Sequence, residues 1–179
     1  MITFANLPKN NASVIAFGVK DIGPYYWVGN CKNGVDYYAG QTFLAPASGV
    51  LKRIKLFSSV VFGSSDATLS IYKFNIANHT FEEKKSETSR RITKANENQW
   101  LDFELGNLRV DKDSYYGFKL ECKGAGMLAV AECPWSVQNP YAEGEEWTGS
   151  SFTREGSFHK DFDLAFEGEI ETSPNTQFI

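Results

Sequence analysis

Histidine occurs only twice in this chain, at His79 and His159, and neither lies in a recognisable catalytic motif. Gly63-Ser64-Ser65 lacks the Gly-x-Ser-x-Gly pattern of a nucleophile elbow, so nucleophilic catalysis has no support in the sequence. Cysteine is scarce as well. Cys31, Cys122 and Cys133 fit no zinc-ribbon spacing, and an odd count allows at most one internal disulfide. No Gly-rich loop opens a helix, which removes the usual phosphate cradle. No run approaches the ~20 apolar residues of a membrane-spanning helix, and Met1 to Ile15 has neither a basic n-region nor an apolar h-region. A membrane is therefore not expected as a partner. Positive charge is in deficit: 18 Lys and Arg face 22 Asp and Glu, a formal net charge of -4. With no global positive field to hold phosphate backbones, nucleic acid is not an expected partner either.

What the chain has is aromatic and apolar mass in alternating patterns. Fourteen Phe, eight Tyr and four Trp make up 15% of 179 residues, enough length and hydrophobicity to bury a core. In Gln99 to Leu105, Leu101, Phe103 and Leu105 alternate with Trp100, Asp102 and Glu104, the period of a strand with one buried face. The same period runs through Tyr116, Phe118, Leu120 and Cys122, and through Phe162, Leu164, Phe166 and Ile170. Further strands are expected over Ser13 to Lys20, Tyr37 to Leu44, Val50 to Ser58, Ala67 to Phe74 and Gly126 to Cys133, separated by Gly, Ser, Pro and Asp. The polar stretch Glu82 to Gln99 has no apolar stripe and reads as an edge strand with loops. No long amphipathic helix is expected. Such a chain covers its apolar faces by packing sheet on sheet, and the expectation is an all-β, two-sheet antiparallel β-sandwich of jelly-roll type. It occupies residues 1–171 as one domain, with 172–179 as a tail or linker. The core formed by residues such as Phe43, Ile54, Leu69, Phe103, Phe118 and Phe166 is expected to suffice without a disulfide. A hairpin turning at Gly124-Ala125-Gly126 would pair Cys122 with Met127.

The segment Gln41-Thr42-Phe43-Leu44-Ala45-Pro46-Ala47-Ser48-Gly49 resembles the jelly-roll accessory modules of bacterial secreted proteins, of the carbohydrate-binding-module or galactose-binding-like type. The similarity continues, in order, through Leu69-Ser70-Ile71-Tyr72, Trp100-Leu101-Asp102-Phe103-Glu104-Leu105, Asp113-Ser114-Tyr115-Tyr116-Gly117-Phe118 and Asp163-Leu164-Ala165-Phe166. The resemblance implies a noncatalytic binding or adhesive role, an extracellular or cell-surface location, and ligand held on a sheet face or among loops at one end. It also implies that a structural calcium can join the terminal strands. Asp21, Asp36, Asp161, Asp163 and Glu167 offer hard oxygen ligands for calcium, although no Asp-x-Asp-x-Asp-Gly loop is present.

The segment Pro134 to Gly156 reads as a long loop carrying Trp135, Tyr141, Trp147 and Phe152 beside Gln138, Asn139 and Glu143. Loops longer than ~12 to 15 residues in compact domains usually serve a function. Sugar rings present apolar C–H faces and hydroxyls, so Trp135, Tyr141 and Trp147 are candidates for stacking and Gln138, Asn139 and Glu143 for hydrogen bonds. The bland alternative is that these aromatics fold inward and cap the sandwich. A second run, Tyr25-Tyr26-Trp27, lies between Gly23-Pro24 and Gly29-Asn30 and reads as a turn-rich loop; Tyr26 and Trp27 join the candidate ligand residues. Asp161 with Asp163, or Glu143 with Glu145 and Glu146, are read as solvated carboxylates rather than a glycosidase pair. The expectation is a nonenzymatic module for an oligosaccharide or polysaccharide, the ligand sitting at the loop end. The alternative is a structural or adhesive protein that binds other protein chains, or itself, through exposed aromatics.

Overall fold

A computed structural model describes residues 12–30 and 33–173. Twelve strands follow in chain order: β1 (Ser13–Val19), β2 (Tyr25–Asn30), β3 (Asp36–Leu44), β4 (Gly49–Phe62), β5 (Ser65–Asn75), β6 (Thr80–Ile92), β7 (Gln99–Val110), β8 (Tyr115–Lys123), β9 (Met127–Ala131), β10 (Glu146–Ser150), β11 (Ser157–His159) and β12 (Phe166–Thr172). Every pairing is antiparallel. In the first sheet β4 is flanked by β12 and β7, and β1 lies outside β12. In the second, β8 is flanked by β3 and β5, and β6 lies outside β5. The hairpin of β10 and β11 extends this sheet beyond β3. The two are joined because β9 pairs with the far end of β4 and with β2, which in turn meets β3 at Gly29 and Asn30. The ladder thus curls into a jelly-roll β-sandwich.

Alternation explains the core directly. Leu101, Phe103 and Leu105 of β7, Ile54 and Leu56 of β4 and Phe166 of β12 pack against Phe43, Leu69, Ile71, Phe118 and Leu120 of the opposite sheet. The Phe118 and Phe166 rings meet edge-on across it at 5.8 Å. Each such side chain stabilises the fold by ~1.5 to 3 kcal/mol before entropy is subtracted. The outer face of the first sheet is charged, as its polar positions imply. Arg53 reaches Glu104 at 3.4 Å and Glu169 at 3.1 Å, and Lys55 reaches Glu167 at 2.9 Å.

Four sequence expectations need correction. Tyr25 to Trp27 is not a loop but the start of β2, whose backbone pairs with β9 from Tyr25↔Ala131 to Gly29↔Met127. The strands on either side of Gly124 to Gly126 do not form a hairpin: Cys122 pairs with Ala67 of β5, whereas Met127 pairs with Gly29 and Phe62. That turn carries the chain from one sheet to the other. Gly124 adopts φ +115°, and a Cβ on Gly126 would stand 2.5 Å from the Ser64 backbone, so only glycine fits so tight a crossing. Pro134 to Gly156 is not loop throughout, since it contains β10. Finally, the last strand begins at Phe166 rather than Phe162; Asp163 and Ala165, expected to face solvent, are both buried. Cys122 and Cys133 are buried free thiols, and burial pushes both up to about 12. Cys31 and the tail from residue 174 lie outside the described residues.

Candidate functional site

Strand alternation in β10 sends neighbouring side chains to opposite faces. Trp147 turns to the outer face of the second sheet. There Phe81 meets it edge-on at 5.8 Å, its Nε1 donates to the Glu155 carbonyl at 3.0 Å, and Lys119 lies over its ring at 4.2 Å. Gly156, at φ +64°, leaves room for the indole, because a Cβ there would come within 2.5 Å of it. Trp147 is therefore a buried packing residue, 2% exposed, and not a free stacking platform. Lys119 also covers Phe81 at 4.4 Å and Tyr72 at 5.6 Å, so this lysine roofs an aromatic layer.

Glu146 and Thr148 point the other way, into a cleft of about 220 Å³ between the β10–β11 hairpin and the segment leaving β9. Glu132 and Trp135 come from that segment, and Tyr26, His159 and Phe162 complete the lining. Trp135 is 65% exposed, stands edge-on to Phe162 at 5.7 Å, and donates from Nε1 to Glu132 Oε2 at 2.9 Å. Thr148 Oγ1 and His159 Nε2 share a hydrogen bond of 2.8 Å. Glu132 and Glu146 are both buried and share a hydrogen bond. Burial above all, and then the charge of Glu132, raises Glu146 well above the ordinary carboxylate range, so it holds the shared proton. Apart from this carboxyl pairing, its buried Oε2 has no hydrogen-bond donor. Behind the pair lies Asp163, pushed up to about 7 by burial although Gln41 Nε2 (2.7 Å) and the Tyr141 amide (3.0 Å) donate to it.

Of the residues singled out in the sequence, the fold brings Trp135 and Tyr26 together here. Trp27 packs edge-on to Tyr25 at 5.6 Å, outside the cleft lining. Tyr141 folds inward as a cap: its ring meets Phe166 at 5.1 Å, and burial raises its hydroxyl beyond the usual range. Gln138, Asn139 and Glu143 are exposed, Gln138 reaching Asp161 at 3.4 Å. Of the acidic side chains considered for calcium, Glu167 is held by Lys20 and Lys55, and Asp36 accepts from Asn30. Among the described residues no three His, Cys, Asp or Glu side chains gather into a group able to hold a metal. Glu132, Glu146, Thr148, His159 and Phe162 were missed. Glu132 had a usable signal, since it interrupts the wholly buried run Met127 to Cys133, where a carboxyl must find a partner.

Fold and site together define a jelly-roll β-sandwich with an acidic, aromatic-rimmed cleft. No protein-family model matches the chain, and no curated protein matches it in sequence. Among solved structures it is similar to the cysteine protease and lectin-like domains of Cwp84, a surface layer associated protein of Clostridium difficile. The identity is 7% over 76% of this chain and 32% of that one, with a TM-score of 0.49. A CocE/NonD family hydrolase from Staphylococcus aureus is 9% identical over 94% of this chain and 37% of that one, TM-score 0.41. A structure of infectious bursal disease virus, Gx strain, is 12% identical over 98% and 47%, TM-score 0.33. The chain spans less than half the length of each. Among the described residues no helix is long and apolar enough to cross a membrane.

Proposed function

We propose that this chain is a noncatalytic saccharide-binding module, of extracellular or cell-surface proteins, that holds a chain end or short oligosaccharide in the Trp135 cleft. The observation that carries the reading is the exposed Trp135 and Phe162 pair standing beside Thr148, His159 and two buried carboxyls in one cleft. The rings offer apolar faces to sugar C–H groups, while Thr148 and His159 offer hydrogen bonds to hydroxyls. The hydrogen bond between Glu132 and Glu146 favours binding over hydrolysis. Glycosidase carboxyls stand roughly 5 to 9.5 Å apart with the sugar between them, whereas these two touch.

The test is a glycan array followed by titration calorimetry on Trp135→Ala and Trp147→Ala. Trp135→Ala should leave the melting temperature nearly unchanged and weaken binding by ~1 to 3 kcal/mol, by analogy with aromatic hot spots at interfaces. Trp147→Ala should instead cost about 3 to 5 kcal/mol of stability, as expected for a buried tryptophan. Retention of no glycan, or full affinity in Trp135→Ala, would remove the reading. The alternative, assembly with other protein chains, draws on the exposed Tyr25 beside Trp27. Light scattering that shows an oligomer dispersed by Tyr25→Ala would favour it.

A further inference from the structure

We infer that the outer face of the second sheet carries a second binding site, for a small hydroxylated carboxylate of which a uronic acid is the type. It stands apart from the Trp135 cleft, which opens on the opposite face of β10. Strand register builds it: Ser70 of β5, Lys119 of β8, Gly40 of β3 and Trp147 of β10 lie side by side in one cross-strand row. Because Gly40 has no side chain, the Trp147 ring reaches across it to Lys119. The period of two places Tyr72 and Tyr38 on the same face, each two positions along its strand. Arg154 closes the end from the turn between β10 and β11, and together these residues line a hollow of about 260 Å³. That is below the ~300 to 1,000 Å³ of drug-sized sites, so it suits a single ring rather than a chain.

The charges around the hollow decide the class of ligand. Its two acids are already engaged: Glu87 by Lys84 and by the Ser70 hydroxyl at 2.9 Å, Glu121 by Lys123 at 3.3 Å. Among the described residues neither Lys119 nor Arg154 forms an ion pair. Burial holds the half-buried Lys119 ammonium below its ordinary range. The rings of Trp147, Phe81 and Tyr72 offset part of its charge but leave its N–H donors for oxygen. The hydroxyls of Tyr38 and Tyr72 likewise have no hydrogen bond to another described residue. Four unengaged donors from four elements thus line one hollow, and such a set asks for negatively charged oxygen. A planar carboxylate matches the guanidinium fork of Arg154 and the point charge of Lys119, while ligand hydroxyls pair with the two phenols.

An NMR titration of the full chain with glucuronate, glucose, acetate and sulfate decides the matter. Glucuronate should shift the indole N–H signal of Trp147, leave that of Trp135 in place, and bind about tenfold more tightly than glucose, the scale of a charge-assisted hydrogen bond. Its affinity should fall as salt is added. Lys119→Met keeps an unbranched apolar stem over the rings and removes the charge; Arg154→Gln removes the fork. Each variant, with its fold checked by thermal melting, should lose about tenfold in glucuronate affinity, whereas Trp135→Ala should lose none. Equal binding of glucuronate and glucose, or affinity that survives both charge-removing variants, overturns the inference. A shift at Trp135 instead of Trp147 overturns it too and places the acid in the saccharide cleft. Acetate or sulfate binding as tightly as glucuronate overturns the hydroxylated class of ligand, and no response to any of the four overturns the site. None of these results bears on neutral glycans at Trp135, which the glycan array tests separately.

Discussion

The melting temperature should rise, not fall, when the protein is taken from pH 8 to pH 5. Asp163 and Glu146 are acids whose folded-state values lie above their ordinary ones, because burial disfavours the charged form. Between the ordinary and the raised value the folded chain holds a proton that the unfolded chain has lost. Their contribution is therefore fully present below about 4 and is lost as pH rises, through about 7 for Asp163 and higher still for Glu146. For Asp163 alone, only the stretch from about 7 down to pH 5 falls within this change, which corresponds to at most ~3 kcal/mol. At ~2 to 4 °C per kcal/mol for a domain of this size, the gain is roughly 5 to 10 °C. Acids lowered by their partners, such as Glu167 beside Lys20 and Lys55, work in the opposite direction, but only below about 4.5. Glu146→Gln sharpens the test, since its amide can donate to Glu132 where the shared proton now lies. That variant should be more stable than the parent at pH 8 and equal to it at pH 5. Scanning calorimetry showing a steady decline from pH 8 to pH 5 would contradict the burial of these acids.

Gln41→Leu is expected to destabilise the fold by about 3 to 5 kcal/mol, the scale of breaking a buried charged network by removing one partner. Gln41 is fully buried, and its side chain clamps β3 to the irregular segment before β12. Its Oε1 accepts from the Leu164 amide at 3.0 Å while its Nε2 donates to Asp163 Oδ1 at 2.7 Å. Leucine fills the same space yet strands an amide and one oxygen of an already disfavoured carboxylate. Because that carboxylate is the loser, the penalty should grow from pH 5 to pH 8. Chemical denaturation at the two pH values measures it, and a loss under 1 kcal/mol at both would show that the clamp is dispensable.

These groups mark where the sequence stopped being readable. The sandwich was legible because Leu101, Phe103 and Leu105, or Phe118 and Leu120, announce an inward face by period alone. Tyr25 to Trp27 was misread because Gly23-Pro24 and Gly29-Asn30 are turn formers, yet here the first pair precedes, and the second ends, a short strand that bridges both sheets. Glu146 sits among Glu143 and Glu145, which favours a solvated reading; only the docking of β10 on β3 turns it inward toward Glu132. Trp147 and Trp135 look alike in sequence. One is fixed by alternation within β10 and the glycine that makes room for its ring, the other follows β9 into solvent, and neither circumstance is local.

The position of β12 has a consequence for how the chain reaches this structure. Its seven residues insert between β1 and β4, so the strand of this sheet that is made last fills an interior slot. Until it arrives, β1 has no neighbour and β4 shows an open edge of the kind that recruits foreign strands. Folding therefore has to wait until β12 has emerged, and the loop closed by Ser13↔Thr172 makes the closing step slow. Nascent chains halted before Phe166 should stay protease-sensitive and prone to aggregate, and release of the final strand should convert them within seconds; protection already present in the halted chain would disprove this order.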